Sequence, residues 1–185
     1  MARNLLDRQL KIDNRQHVTQ KKLLTGLQAA YDRGTPFEQL TVSALCTQSN
    51  VSRATFYRHH QDIGDIIAIQ FLIVMRTFDQ QIDALSVLSF ESASNVVVRL
   101  ILDNRALFQL VIWSNTADRV QDILSGTALQ VLMARDFTET TRTFISTFLG
   151  REILNFSLQV TEAPTPLSFD QTRRLYQLLM PRELE

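Results

Sequence analysis

The sequence predicts an all-α protein, and three observations carry that prediction. The chain has 185 residues, of which 45% are hydrophobic, enough apolar material for a substantial core. It has only five glycines and four prolines, fewer than the closely spaced turns of a β-sandwich require. Its apolar residues recur at intervals of three and four positions over long stretches, which is the spacing of one helix face.

The first third of the chain predicts three helices of unequal length. Thr19 can cap a first helix, which ends near Gly34. Thr41 precedes a second helix of about two turns. Residues 48–51 then form a tight turn, and Ser52 caps a third, short helix.

The remainder of the chain predicts longer helices. The apolar rhythm from Asp62 to Leu85 predicts one helix, long enough to link two domains. Further helices are expected at about 91–103, 105–113, 117–134, 136–160 and 168–180. The expected interruptions are Asn104, Asn115, Gly126 and the segment 164–166.

Charge is distributed unevenly along the chain, although its formal net charge is zero. Residues 1–60 carry nine Lys or Arg against four Asp or Glu, whereas residues 61–185 carry ten against fifteen. A basic end on an otherwise acidic molecule favours a polyanionic partner at that end. A chance imbalance on two solvated surfaces is the alternative interpretation.

The sequence argues against disulfide-stabilised, secreted, membrane-spanning, enzymatic and metal-binding proteins. The single cysteine, Cys46, excludes an internal disulfide and fits a reducing compartment. No apolar run has the length of a signal peptide or a membrane span, so we expect a cytoplasmic protein. No nucleotide-binding, serine-hydrolase or metalloprotease motif occurs, which argues against an enzyme and against a cofactor. Adjacent residues of the Arg58–His60 run would point in different directions on a helix, so we expect no metal site.

Two short helices joined by a turn and preceded by a longer helix form the helix-turn-helix pattern. Asn50 occupies the point of the turn where a left-handed residue is needed, a conformation that Asn adopts more readily than most residues. Val51 and Phe56 are expected to face inward. The expected outward side chains, which suit phosphates and base edges, are Ser52, Arg53, Thr55, Tyr57 and Arg58.

The run from Thr19 to Ile67 resembles the DNA-binding domain of the tetracycline-repressor (TetR) family, most strongly in the stretch VSRATFYRHH. The resemblance implies that the region of Thr41 contacts the DNA backbone and that Tyr57 and His59 contact DNA phosphates. It also implies a groove-facing side formed by Ser52, Arg53 and Thr55. The later segment NRALFQLVI is loosely similar to the dihydroxyacetone-kinase regulators of that family.

The chain departs from the TetR pattern at two positions. His60 replaces a common Phe, and Ile63 replaces a Lys that helps to hold phosphate. Loss of one phosphate contact predicts weaker DNA binding with a shallower salt dependence.

The resemblance also implies the domain organisation and the partners. Residues 1–62 are expected to be the DNA-binding domain, of which residues 1–18 form a flexible tail. Residues 63–185 are expected to form a domain that dimerises and binds a ligand. The expected function is sequence-specific repression by a homodimer on double-stranded operator DNA, released by a small effector. The inferred inward faces carry almost no charge, so this effector is expected to be mainly apolar.

Aromatic and leucine side chains in the second domain are candidates for two sites. The candidate pocket residues are Phe71, Phe78, Phe108, Trp113, Phe144 and Phe148. The candidate interface residues are Phe156, Leu175, Leu178 and Leu179. Aromatic residues at helical spacing are more often core, which is the competing interpretation. Gly150 is expected to admit another helix closely.

Two functional hypotheses therefore come from different classes. The first is the DNA-binding regulator. The second is a helical adaptor or co-regulator that acts through protein contacts with weak or no DNA binding.

Overall fold

The computed structural model describes residues 14–133 and 138–180, and every regular element within those ranges is helical. This confirms the all-α class. The α-helices of the described residues are α1 (Asn14–Asp32), α2 (Val42–Gln48), α3 (Arg53–His59), α4 (Gly64–Asp83), α5 (Phe90–Asp103), α6 (Arg105–Ser114), α7 (Ala117–Leu132), α8 (Glu139–Glu162) and α9 (Phe169–Leu179).

The cap predicted at Ser52 is confirmed, and Thr41, which was expected to precede the second helix, also caps it. The hydroxyl of Thr41 accepts a hydrogen bond from the backbone N–H of Ala44 at 3.1 Å, which caps α2. The hydroxyl of Ser52 accepts from Thr55 N–H at 3.0 Å, which caps α3. Asn50 has a φ of 50°, the left-handed conformation expected of the turn.

Three expectations about the elements need correction. Helix α1 begins at Asn14 rather than Thr19, so residues 14–18 are helical and do not belong to a flexible tail. Residues 1–13 lie outside the described residues. Gly126 does not interrupt α7, because Leu124 and Thr127 are buried on either side of it and their packing outweighs the low helix propensity of glycine. A short 3₁₀ turn, Phe37–Gln39, was not predicted.

A single cluster of buried hydrophobic residues extends from Leu23 in α1 to Met180 after α9. It crosses residue 62, where the domain boundary was predicted, so the division into two domains stays a prediction. A hydrogen bond also crosses that point, because Gln20 donates from Nε2 to the backbone oxygen of Ile66 at 2.7 Å.

Phe71 and Phe108 belong to this core rather than to a pocket, which corrects their predicted role. Both side chains are fully buried, and their rings meet edge to face with centroids 5.1 Å apart. Each phenyl ring thus fills space between helices α4 and α6.

The close helix approach predicted at Gly150 is confirmed. A Cβ built on Gly150 would lie 2.6 Å from the backbone nitrogen of Ser125 in α7 and would also collide with the Ser125 hydroxyl. Helices α7 and α8 therefore pack backbone against backbone at this point.

Candidate nucleic-acid interface

Helix α3 has one buried face and one exposed polar face. Phe56 is fully buried and holds the helix against the core. Its ring contacts Tyr57 and His60, with centroids 5.2 and 5.3 Å away. The predicted DNA-contacting residues that are exposed are Thr41, Ser52, Arg53, Tyr57 and Arg58. Thr55 and His59 are partly buried.

The hydroxyl groups at the start of α3 form a connected pair. Ser52 Oγ and Thr55 Oγ1 lie 2.8 Å apart, while Ser52 Oγ also caps the helix. Of the two hydroxyl protons, one lies between the oxygens. The other is available to a phosphate oxygen without loss of the cap.

The electrostatics of this surface are basic. Arg53 and Arg58 are exposed on α3, and the sequence has no carboxylate side chain between Glu38 and Asp62. A surface with arginines and hydroxyls, on a stretch of sequence without carboxylates, suits a polyanion.

Helix α2 is tied to α1 by side chains at its C-terminal end. Arg33 donates from Nη2 to the Gln48 side-chain oxygen at 2.8 Å, and Gln48 Nε2 donates to the backbone oxygen of Gly26 at 3.3 Å. These bonds fix the end of α2 that leads into the turn before α3.

The two departures from the TetR pattern both lie in the core. His60 is 4% exposed, and its Nδ1 atom has no hydrogen-bond partner among the described residues. Burial lowers the pKa of His60, an effect that Asp65 opposes and His59 reinforces. Ile63 is also buried, so the start of α4 offers no cation at that position.

A cavity of about 170 Å³ lies among helices α4, α5, α7, α8 and α9. Its walls are almost entirely apolar, and the polar side chains among the lining residues are Ser89, Thr127 and Tyr176. Phe78 is the one predicted pocket residue that lines it. Among the described residues, no Asp, Glu, Lys, Arg or His lines this cavity.

The remaining pocket candidates need correction. Trp113 lies against the first helices instead, where it donates from Nε1 to the backbone oxygen of Thr35 at 2.9 Å. Phe144 and Phe148 are 73% and 46% exposed. They point outward because α8 turns Gly150 and its neighbours toward α7.

The predicted interface residues divide into two groups. Phe156 is buried within the chain against Tyr176, with ring centroids 5.4 Å apart, and is corrected to a core residue. Leu175, Leu178 and Leu179 are exposed on α9. The exposure of Phe144 and Phe148 was not predicted, since helical spacing alone does not indicate which face of a helix is covered.

The fold and this surface define an all-helical protein whose third helix presents arginines and hydroxyls to solvent. Within the described ranges, no helix combines the length and apolar content needed to cross a membrane. No protein-family model and no curated protein matches the chain. Among solved structures, the crystal structure of Lin0861 from Listeria innocua aligns with a TM-score of 0.83 at 32% sequence identity. The alignment covers 91% of this chain and 92% of Lin0861, so this chain belongs to the same family as Lin0861.

Proposed function

We propose that the protein is a TetR-type transcription regulator that binds operator DNA as a homodimer. The observation that carries the proposal is the exposed face of α3, where Arg53, Tyr57 and Arg58 stand opposite the buried Phe56. In the helix-turn-helix arrangement the second short helix enters the major groove, and α2, the turn at Asn50 and α3 have the order and caps that this arrangement needs.

The side chains of this face divide into two roles. Arg53, in the first turn of α3, would pair with a base edge, since a guanidinium can contact guanine through two hydrogen bonds. Tyr57, Arg58 and His59 would hold phosphates, together with Thr41 at the start of α2. Ser52 and Thr55 would contribute the hydroxyl pair described above.

A homodimer is part of the proposal because operator half-sites lie about one helical turn, ~34 Å, apart. Apolar side chains remain exposed on both of the last two helices, Phe144 and Phe148 on α8 and Leu178 and Leu179 on α9. Pairing of these faces across a twofold axis would bury them in a four-helix bundle.

An effector that enters the apolar cavity would complete the proposed mechanism. Met75, Phe78 and Ile82 line the cavity from the second half of α4, the helix that follows α3 in the chain. A ligand there would change DNA affinity only if it binds one arrangement of α4 better than another. The lining favours an uncharged, mainly apolar ligand, because its described residues offer no charged partner to an ion.

The deciding experiment selects binding sites from random double-stranded DNA with the full chain. Fluorescence anisotropy at fixed salt then compares the selected site with a scrambled one. We expect a twofold-symmetric site bound about 10³-fold or more tightly than the scrambled DNA. Arg53→Ala should lose most of that ratio, while Arg99→Gln, which removes an exposed arginine from α5, should keep it. Absence of any enriched site would favour the adaptor hypothesis.

A further inference from the structure

Arg119, in the first turn of α7, reaches two carboxylates at the start of α4. Its Nη1 and Nη2 atoms lie 2.8 and 2.6 Å from the two oxygens of Asp62, a forked pair. Nη1 also lies 2.9 Å from Asp65 Oδ1. The guanidinium of α7 therefore binds the segment that connects α3 to α4.

The two carboxylates also accept hydrogen bonds from backbone N–H groups of this connecting segment. Asp62 Oδ1 accepts from the Asp65 N–H at 3.0 Å, and Asp65 Oδ2 accepts from the Gln61 N–H at 2.6 Å. An arginine that fixes these side chains thus also fixes the chain that leaves α3. Hydrogen bonds from Arg119 hold the pKa of Asp62 below its ordinary value, so Asp62 is charged at neutral pH.

Gly64 makes room for this arrangement. A Cβ at Gly64 would lie 3.2 Å from Arg119 Nη1 and 3.1 Å from the Thr116 methyl group, both tighter than ordinary contacts. The guanidinium lies directly over the first turn of α4 because residue 64 has no side chain.

A second contact comes from the same corner between α6 and α7. Trp113, at the end of α6, bonds to Thr35 and meets the rings of Tyr31 and Phe37 edge to face, with centroids 5.8 and 5.1 Å away. Asn115 turns this corner with a φ of 53°. Residues 113–119 therefore contact the earlier part of the chain at two separate points, near Thr35 and at the start of α4.

We propose that Arg119 is a positioning residue that fixes the orientation of α3 relative to the later helices and thereby sets DNA affinity. Exposed ion pairs contribute little to stability, and Arg119 and Asp62 are 44% and 49% exposed. The proposed role of Arg119 is to fix geometry, since a planar guanidinium orients two carboxylates, whereas a point charge such as that of lysine does not. The effect on DNA rests on the proposed function, whereas the orientation itself does not.

The test compares Arg119→Ala and Arg119→Lys with the native chain and with Asp122→Ala, an exposed control on the same helix. We expect Arg119→Ala to remain folded with only a slightly lower urea midpoint, because Arg119 and Asp62 are about half exposed, and to bind the selected site about tenfold more weakly. The slope of affinity against salt should stay native, because no phosphate contact is lost. Arg119→Lys should behave like Arg119→Ala. Full rescue by Lys, a shallower salt slope or native affinity of the Ala variant would each overturn the proposal.

Trp113 gives a readout that needs no DNA, because it is the only tryptophan in the chain. Trp113 is covered by the first helices, so a change in their orientation should expose it. Acrylamide should therefore quench its fluorescence more strongly in Arg119→Ala than in the native protein or in Asp122→Ala. Unchanged quenching would overturn the positioning role. If the native chain binds no DNA but quenching rises in Arg119→Ala, the proposed function fails and the positioning role stands.

Discussion

The guanidinium carbon of Arg53 lies 6.0 Å from the ring centroid of Tyr57, four residues further along α3. Both side chains are exposed, so the cation rests near the ring on the surface proposed to meet DNA. The contact limits the positions that Arg53 can sample before it binds, which reduces the entropy lost when it pairs with a base.

Arg53 and Tyr57 are predicted to affect DNA binding differently. Arg53→Ala should weaken binding to the selected site by about 1–3 kcal/mol and relax the base preference, because a bidentate base contact is lost. Tyr57→Phe removes only a phosphate contact and should weaken binding to all sequences about equally. Anisotropy titrations on the selected and scrambled sites measure both effects. Equal losses on both DNAs for both variants would contradict this assignment of roles.

Two glycines on adjacent helices are predicted to respond in opposite directions to the same substitution. Gly150→Ala should destabilise the fold by about 1–3 kcal/mol, since its Cβ would collide with the Ser125 backbone. Gly126→Ala should stabilise it by about 1 kcal/mol, because open space surrounds this position in α7 and alanine favours a helix. Urea denaturation of the two variants measures both changes. A stable Gly150→Ala protein would show that α7 and α8 can separate without cost.

The order of the helices could be predicted from the sequence because caps and turns depend on residues close together in the chain. Thr41, Ser52 and Asn50 act through bonds and backbone angles within a few residues of themselves, and all three are found as predicted. The side chains that line the cavity could not be identified in the same way. Phe78 lines the cavity whereas Phe71 is in the core, although both belong to one apolar stripe of α4.

Long-range partners account for the other errors. Trp113 bonds to Thr35, a residue 78 positions earlier, and no periodicity in α6 indicates that contact. Arg119 likewise meets Asp62 from 57 positions away. Pairings of this kind depend on how the helices cross, which the hydrophobic pattern of one helix does not specify.

The buried imidazole of His60 predicts a pH-dependent stability. Its folded pKa is lowered from the ordinary 6.5, so the unfolded chain takes up the proton first and stability falls as pH drops below about 6.5. His60→Phe should remove this loss. It should also stabilise the fold at pH 7, because it removes a buried Nδ1 that has no hydrogen-bond partner in the described part of the chain.

The measurement is the difference in unfolding free energy between His60→Phe and the native protein from pH 8 to pH 5. The difference should increase as pH falls. Burial, aided by Asp83, also raises the pKa of Asp79 to about 6, but that titration occurs in both proteins and cancels. A difference that stays constant with pH would refute the assignment to His60.

The exposed apolar faces of α8 and α9 are predicted to hold the dimer together. Leu178→Glu and Phe144→Glu should each convert a dimer into a folded monomer, because a charge would be buried without a partner. Val87→Glu is the matched control, since Val87 is 70% exposed but lies before α5. Sedimentation velocity at micromolar concentration gives the masses. A native protein that sediments as a folded monomer would end the dimer hypothesis.

The cavity is predicted to bind apolar molecules without charge. Octan-1-ol should raise the melting temperature, because its chain can occupy the apolar space while its hydroxyl reaches one of the few polar side chains. Octanoate, of the same length, should not, since its carboxylate would be buried unpaired. Ala128→Phe, which places a ring in the cavity wall, should abolish the alcohol's effect. Equal shifts by both ligands would point to binding elsewhere.

The hydrogen bond from Gln20 to Ile66 joins α1 to the start of α4, which limits where the chain can be divided in fragments and chimaeras. Ile66 and Ile67 are fully buried in the same hydrophobic cluster as Leu23 and Leu27 of α1. A fragment that stops at residue 62 would leave that cluster open to water and leave Gln20 without its acceptor. The first three helices therefore do not form a separate unit that ends at residue 62, and chimaeras that take α1 and residues 63–67 from one parent should be more stable than chimaeras joined at residue 62.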